Sequence, residues 1–123
     1  MPLTFREQQQ LADSGDFQIL VRQAIIAHAA QVLNAIEDPA NLNAEQQLAA
    51  KYRLQLHNPS APVVQSSIAL IAGLANDLFP DATLESLKTM ILDGSADSAI
   101  ANAITTYYPK MAAIAAAEES ASV

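Results

Sequence analysis

The stretch FQILVRQAIIAHAAQVLNAI, residues 17–36, decides the fold because its apolar residues recur at helical spacing. One stripe along the segment is formed by five apolar residues: Phe17, Val21, Ile25, Val32 and Ile36. Polar residues such as Gln23 and Asn34 fall on the opposite side. This pattern is typical of an amphipathic helix that packs one face against a protein core.

Caps, glycines and prolines divide the rest of the chain into further short helices. The predicted helices cover residues 5–13, 44–56, 62–78 and 84–92, and a last helix opens at Ser95 or Asp97. No segment has a convincing strand pattern, and 123 residues suit a single core. The sequence therefore predicts an all-α fold, a single-domain bundle of about five to six short helices.

The end of the chain differs in composition from the rest. We expect Pro109 to kink or stop the last helix near Tyr108, because proline cannot donate the hydrogen bond to the preceding turn. Residues 1–111 are thus the predicted bundle domain. Residues 112–123 form an acidic, alanine-rich tail that we expect to be partly disordered or ordered by a partner.

The helix at residues 62–78 is apolar over much of its circumference, so we expect it at the buried centre of the fold. Its thin face carries Ala69 and Gly73, one turn apart, where another backbone can approach closely. Packing within the chain is the favoured interpretation of this face. A contact between subunits is the alternative.

The inventory of reactive side chains is small. The chain has no cysteine and only two histidines, so disulfides and thiolate metal sites are excluded. It also lacks a phosphate-binding glycine loop, a nucleophile elbow and a zinc-protease motif. We therefore predict that the protein is not an enzyme and has no catalytic, cofactor or metal site, with an enzyme ranked last among the alternatives.

Four side chains remain as candidates for other roles. His28 is expected at the core edge, hydrogen-bonded to nearby backbone. The Arg22 side chain projects from the flank of the buried stripe. We expect it to pair with a carboxylate of the same chain, and a contact with a neighbouring chain is the alternative. Tyr107 and Tyr108 are interpreted as one core residue beside one interface or surface residue. The candidate interface residues are therefore Arg22, Ala69, Gly73, Tyr107 and Tyr108.

Charge and hydropathy limit the classes of partner. The net charge of −7 disfavours non-specific binding to nucleic acid, which needs clustered lysine and arginine. The longest apolar run, residues 68–75, is far shorter than the roughly 20 residues that cross a bilayer. We expect no membrane span, no signal peptide and no small-molecule substrate.

Three stretches together resemble a family of small virion proteins encoded by tailed bacteriophages. They are LTFREQQQLADSGDFQILVRQAIIAHAAQVL near the start, LHNPSAPVVQSSIALIAGLA in the middle, and GSADSAIANAITTYYPKMA near the end. The matching positions are Val21, Arg22 and Ala24, then Asn58 and Pro59, then residues 69–72, and finally Asp97, Ile100, Ala103 and Ile104.

The resemblance implies a structural protein of the phage particle, made in the cytoplasm of the bacterial host. Its place would be the neck, as a head–tail connector (adaptor) in a homo-oligomeric ring of about twelve copies beneath the portal. The portal protein and the tail or neck proteins would be its partners, and DNA would pass through the lumen without sequence-specific binding. A decoration or minor head protein and a small helical regulatory binding module remain the alternatives.

Overall fold

The computed structural model describes residues 2–121, with side chains except those of residues 115 and 118–121. Within this range the chain forms seven α-helices, one 3-10 turn and no strands. The helices are α1 (Phe5–Asp13), α2 (Gly15–Asn34), α3 (Ala44–Tyr52), α4 (Pro62–Gly73), α5 (Ala75–Leu78), α6 (Leu84–Asp93) and α7 (Asp97–Ala121). The predicted all-α, single-domain bundle is confirmed.

Helix α2 is the centre of the bundle and packs against α1, α3, α4, α6 and α7. Its buried residues repeat every fourth position, at Phe17, Val21, Ile25 and Ala29. The expectation that the 62–78 segment would be this centre is wrong, because one half of α4 faces outwards. The largest completely buried side chains come from five helices: Leu11, Phe17, Val21, Ile25, Val64, Ile71, Leu87, Ile100 and Ile104.

Helix starts follow the sequence signals closely. Thr4, Asn43 and Thr83 each cap a helix, and each forms a reciprocal capping box with the residue three positions later. Gly94 ends α6 with φ at +85°, the left-handed conformation that glycine adopts without strain. These short helices therefore begin and end through local hydrogen bonds, before any tertiary packing is considered.

Two predicted helices are shorter in the structure. The segment predicted as 44–56 ends at Tyr52 and is followed by a 3-10 turn, Gln55–His57. The segment predicted as 62–78 divides at Leu74 into α4 and α5. The second break places Asn76 against the start of the chain. There its side-chain oxygen accepts from the Leu3 amide at 2.6 Å, and its nitrogen donates to the Leu3 carbonyl at 3.0 Å.

Helix α7 does not stop near Tyr108 but continues through Pro109 to Ala121. Pro109 and Thr105 are both exposed, so water can satisfy the Thr105 carbonyl that loses its helical donor. Ala112 is buried and belongs to the core. That a partner orders residues 112–123 stays a prediction, and residues 122 and 123 lie outside the described residues.

Candidate interaction surface

An open apolar groove of about 540 Å³ lies where α3, the 3-10 turn, α4 and α7 meet. Its described lining residues carry no charge, and its main apolar walls are Leu48, Tyr52, Val63, Leu70, Met111 and Ile114. Leu70 is 36% exposed and Ile114 is 59% exposed. An uncharged recess with exposed apolar side chains is a candidate site for contact with another molecule. We call it the α3–α4–α7 groove.

The two helix breaks around residues 52–62 create the groove. Because α3 ends at Tyr52 and the 3-10 turn follows, the chain changes direction before α4 begins at Pro62. Ser67 lies on the groove floor, where its hydroxyl donates to the Val63 carbonyl at 2.8 Å. This internal bond satisfies the Ser67 hydroxyl, so the groove floor remains effectively apolar.

Cationic side chains flank the α3 wall of the groove. The Lys51 ammonium lies 5.3 Å from the ring centroid of Tyr52, a distance typical of a cation–π contact. Arg53 directly follows Tyr52 and is exposed. The groove therefore combines an uncharged interior with a basic edge, on a chain whose net charge is −7.

The outer half of α4 continues from the groove. Ala69 and Gly73 are both exposed, and a Cβ built on Gly73 would meet nothing within 4 Å. The favoured prediction, that this thin face packs within the chain, is therefore wrong. The other helices approach α4 from the side of Val64, Ile68 and Ile71, which leaves the small residues facing outwards. Helix α4 contains no charged residue, so this outer half is also uncharged.

Arg22 lies half-buried in a shallow cleft beside Pro59 and Ile68. Within the described part of the chain it makes no hydrogen bond or ion pair. The predicted carboxylate partner in the same chain is therefore wrong: the neighbouring α4 residues are apolar. A contact of Arg22 with another chain stays a prediction.

His28 and Tyr108 pack together between α2 and α7. Their ring centroids are 4.6 Å apart, with an angle of 66° between the planes, an edge-to-face arrangement. Both imidazole nitrogens are buried and have no hydrogen-bond partner among the described residues. The predicted backbone hydrogen bond to His28 is wrong, because the carbonyls of a helix interior are already paired.

Burial controls the protonation of this pair. It lowers the pKa of His28 below its ordinary value, and the negative charge of Glu45 opposes that shift. Burial, with a smaller contribution from Glu45, raises the pKa of Tyr108 to about 12. Both rings are therefore neutral at pH 7, as is typical of core residues.

The two tyrosines have the arrangement that the sequence indicates. Tyr108 is 3% exposed and belongs to the core, whereas Tyr107 is half-buried at the surface. The Lys110 ammonium lies 5.1 Å from the Tyr107 ring centroid. The role of Tyr107 in an interface stays a prediction. The prediction of Tyr108 as an interface residue is wrong, because its ring is buried in the core against His28.

A second apolar feature was missed by the sequence analysis. Leu92, near the end of α6, is 72% exposed, and it lies in a shallow cleft with Ile19, which is 48% exposed. Asp16 and Asp97 line the same cleft. A helical projection would have found Leu92, since it lies well away from the buried side of α6 that contains Leu84 and Leu87. We call this feature the Leu92 corner.

Two kinds of feature are absent from the described residues. No group of three or more histidine, cysteine or acidic side chains is arranged to hold a metal ion. None of the described helices is both long and apolar enough to span a bilayer.

Comparison with known proteins finds no matching family model, no similar curated protein and no similar solved structure. The resemblance to small phage virion proteins therefore depends on the sequence stretches quoted above.

Proposed function

We propose that this protein acts by assembly, as a structural subunit of a tailed-phage particle that packs against copies of itself and neighbouring proteins. The observation that carries the proposal is the α3–α4–α7 groove, together with the uncharged outer half of α4 that adjoins it. Depletion of charge and enrichment of apolar side chains distinguish the centre of an interface from the rest of a surface.

The position of the groove supports this proposal. Its walls come from three helices that are held by the core, so the surface is formed before any partner arrives. A preformed surface binds with a smaller loss of conformational entropy than one that must order on contact. Leu70 and Ile114 remain exposed in the single chain, and an assembly partner would remove both from water.

Within the particle, we propose the neck as the place of this protein, as a head–tail connector in a ring beneath the portal. The sequence resemblance supports this setting, and the charge of the chain fits it. With thirteen acidic residues against six basic ones, the outer surface repels the DNA backbone. DNA could therefore pass such a ring without being held.

The proposal is tested by counting copies of the protein in purified particles. Phage particles from a culture carrying the gene would be banded by density, and the protein would be quantified by mass spectrometry against the portal protein. We expect about a dozen copies per particle, as for a closed ring on a portal. Deletion of the gene should leave filled heads without attached tails.

The other outcomes would identify other roles. Hundreds of copies per particle would place the protein on the shell, as a decoration or minor head protein. Its absence from particles, together with normal particle yield after deletion, would overturn the structural role and indicate a regulatory binding module.

A further inference from the structure

We propose that the α3–α4–α7 groove receives the Leu92 corner of a second copy of this chain. The inference rests on the proposed assembly function and names the contact between subunits. The corner offers an exposed apolar side chain, and the groove offers an uncharged apolar recess of about 540 Å³.

The two features lie far apart on the molecule. The corner adjoins Asp97 at the start of α7, whereas the groove is lined by Met111 and Ile114 further along the same helix. At about 1.5 Å per residue, Asp97 and Met111 are about 21 Å apart along the helix axis. A chain cannot place its own corner in its own groove, so only another copy can make this contact.

The charges around the two features are complementary. Three aspartates lie at the corner: Asp16 and Asp97 line its cleft, and Asp93 directly follows Leu92. The nearby cations are Lys88 and Arg22, and Arg22 lines the adjoining cleft with Ile19, so the corner has an excess of negative charge. The groove has no acidic side chain among its described lining residues, and the exposed Arg53 directly follows Tyr52, which is one of those lining residues. Local attraction between an acidic corner and a basic edge favours this orientation of the two copies.

The geometry determines the type of assembly. A contact that joins two different surfaces is heterologous, so each copy retains one free corner and one free groove after the first contact. Such contacts build a ring where the rotation between copies closes, and a filament where it does not. This is the type of interface that the proposed neck ring requires.

Two single substitutions test the two sides of the contact one at a time. Leu92→Gln removes the apolar group from the corner, and Leu70→Gln places an amide in the groove wall. Glutamine is compatible with a helix, so both variants should fold, which circular dichroism would verify. We expect self-association, measured by sedimentation velocity, to weaken about 10- to 100-fold in each variant, as for the loss of one buried leucine contact.

Mixing the two variants is the decisive experiment. The Leu92→Gln chain retains an intact groove and the Leu70→Gln chain retains an intact corner, so the mixture should form a dimer with one native contact and no larger species. If the mixture stays monomeric, or if only Leu70→Gln weakens association, the head-to-tail contact is overturned. A wild-type chain that remains monomeric at about 1 mM would overturn it as well, since such association would be weaker than about −4 kcal/mol.

Phe5→Gln is the matched control. Phe5 is 84% exposed on α1, outside both surfaces, so this variant should associate as the wild type does. If the self-association of Phe5→Gln were weakened as much as that of the other two variants, association would depend on general surface hydrophobicity. The specific contact would then be overturned. Copy counting in particles reports on the proposed function independently of this contact.

Discussion

Replacement of His28 by leucine should stabilise the protein. Both imidazole nitrogens are buried without a hydrogen-bond partner in the described structure, and each such group costs about 1–3 kcal/mol. The substitution also loses the edge-to-face contact with Tyr108, worth about 0.5–1.5 kcal/mol. Because the side chain as a whole is only partly buried, we expect a net gain of about 1–2 kcal/mol in the free energy of unfolding at pH 7.5.

The same variant should change the dependence of stability on pH. The pKa of His28 is lowered in the folded chain, so between that value and the ordinary value the unfolded chain binds more protons. Stability of the wild type should therefore fall as the pH is lowered from 7.5 towards 5.5. The groups that face His28 are Tyr108 on α7 and Glu45 on α3, and Glu45 moderates the effect. In His28→Leu this contribution to the slope should disappear.

Urea unfolding at several pH values, followed by circular dichroism, measures both effects. Gln31→Leu is the control, because Gln31 lies exposed on the same helix, and its replacement should change stability by no more than about 0.5 kcal/mol. A His28→Leu chain that is no more stable than the wild type, or that keeps the full pH slope, would refute the argument. It would mean that the ring nitrogens are satisfied in solution.

Three further substitutions test the hydrogen bonds and the backbone conformation that hold the helix ends in place. Asn76→Ala removes both hydrogen bonds to Leu3 and should lower the free energy of unfolding by about 1–3 kcal/mol in urea titrations, with Asn102→Ala on exposed α7 surface as the near-neutral comparison. Gly94→Ala forces a Cβ into the left-handed conformation and should cost about 1–2 kcal/mol, seen as a lower Tm. Thr83→Ala removes the cap of α6 and should cost about 1 kcal/mol, and Thr83→Ser should restore most of it.

The sequence could predict those features of the fold that depend on neighbours along the chain. Capping boxes at Thr4 and Thr83 are such features, because donor and acceptor lie three residues apart. The left-handed Gly94 is another. Gly15 shows the limit of this reasoning: a glycine after a helix commonly ends it, yet Gly15 begins α2, because Ser14 takes the extended cap position between the two helices.

Features that depend on distant residues could not be predicted in this way. The break after Gly73 is followed by the pairing of Asn76 with Leu3, seventy-three positions away. The continuation of α7 through Pro109 depends on the proline facing solvent, which is known only once the packing of α7 is known. For the same reason the apolar composition of α4 indicated burial but could not show that no described helix covers Ala69 and Gly73.

Electrostatic interactions between copies and the apolar contact in the groove respond differently to salt. The dependence of self-association on salt can therefore distinguish their contributions. Two copies at net charge −7 repel each other at long range, a repulsion that added salt screens within about 8 Å at physiological ionic strength. The local attraction between the aspartates of the Leu92 corner and Arg53 is screened by the same ions. If the apolar contact dominates, salt should strengthen association because it mainly removes the repulsion. If the local charges dominate, salt should weaken it. Since the groove interior is uncharged and Leu92 supplies the buried contact, we expect salt to strengthen assembly.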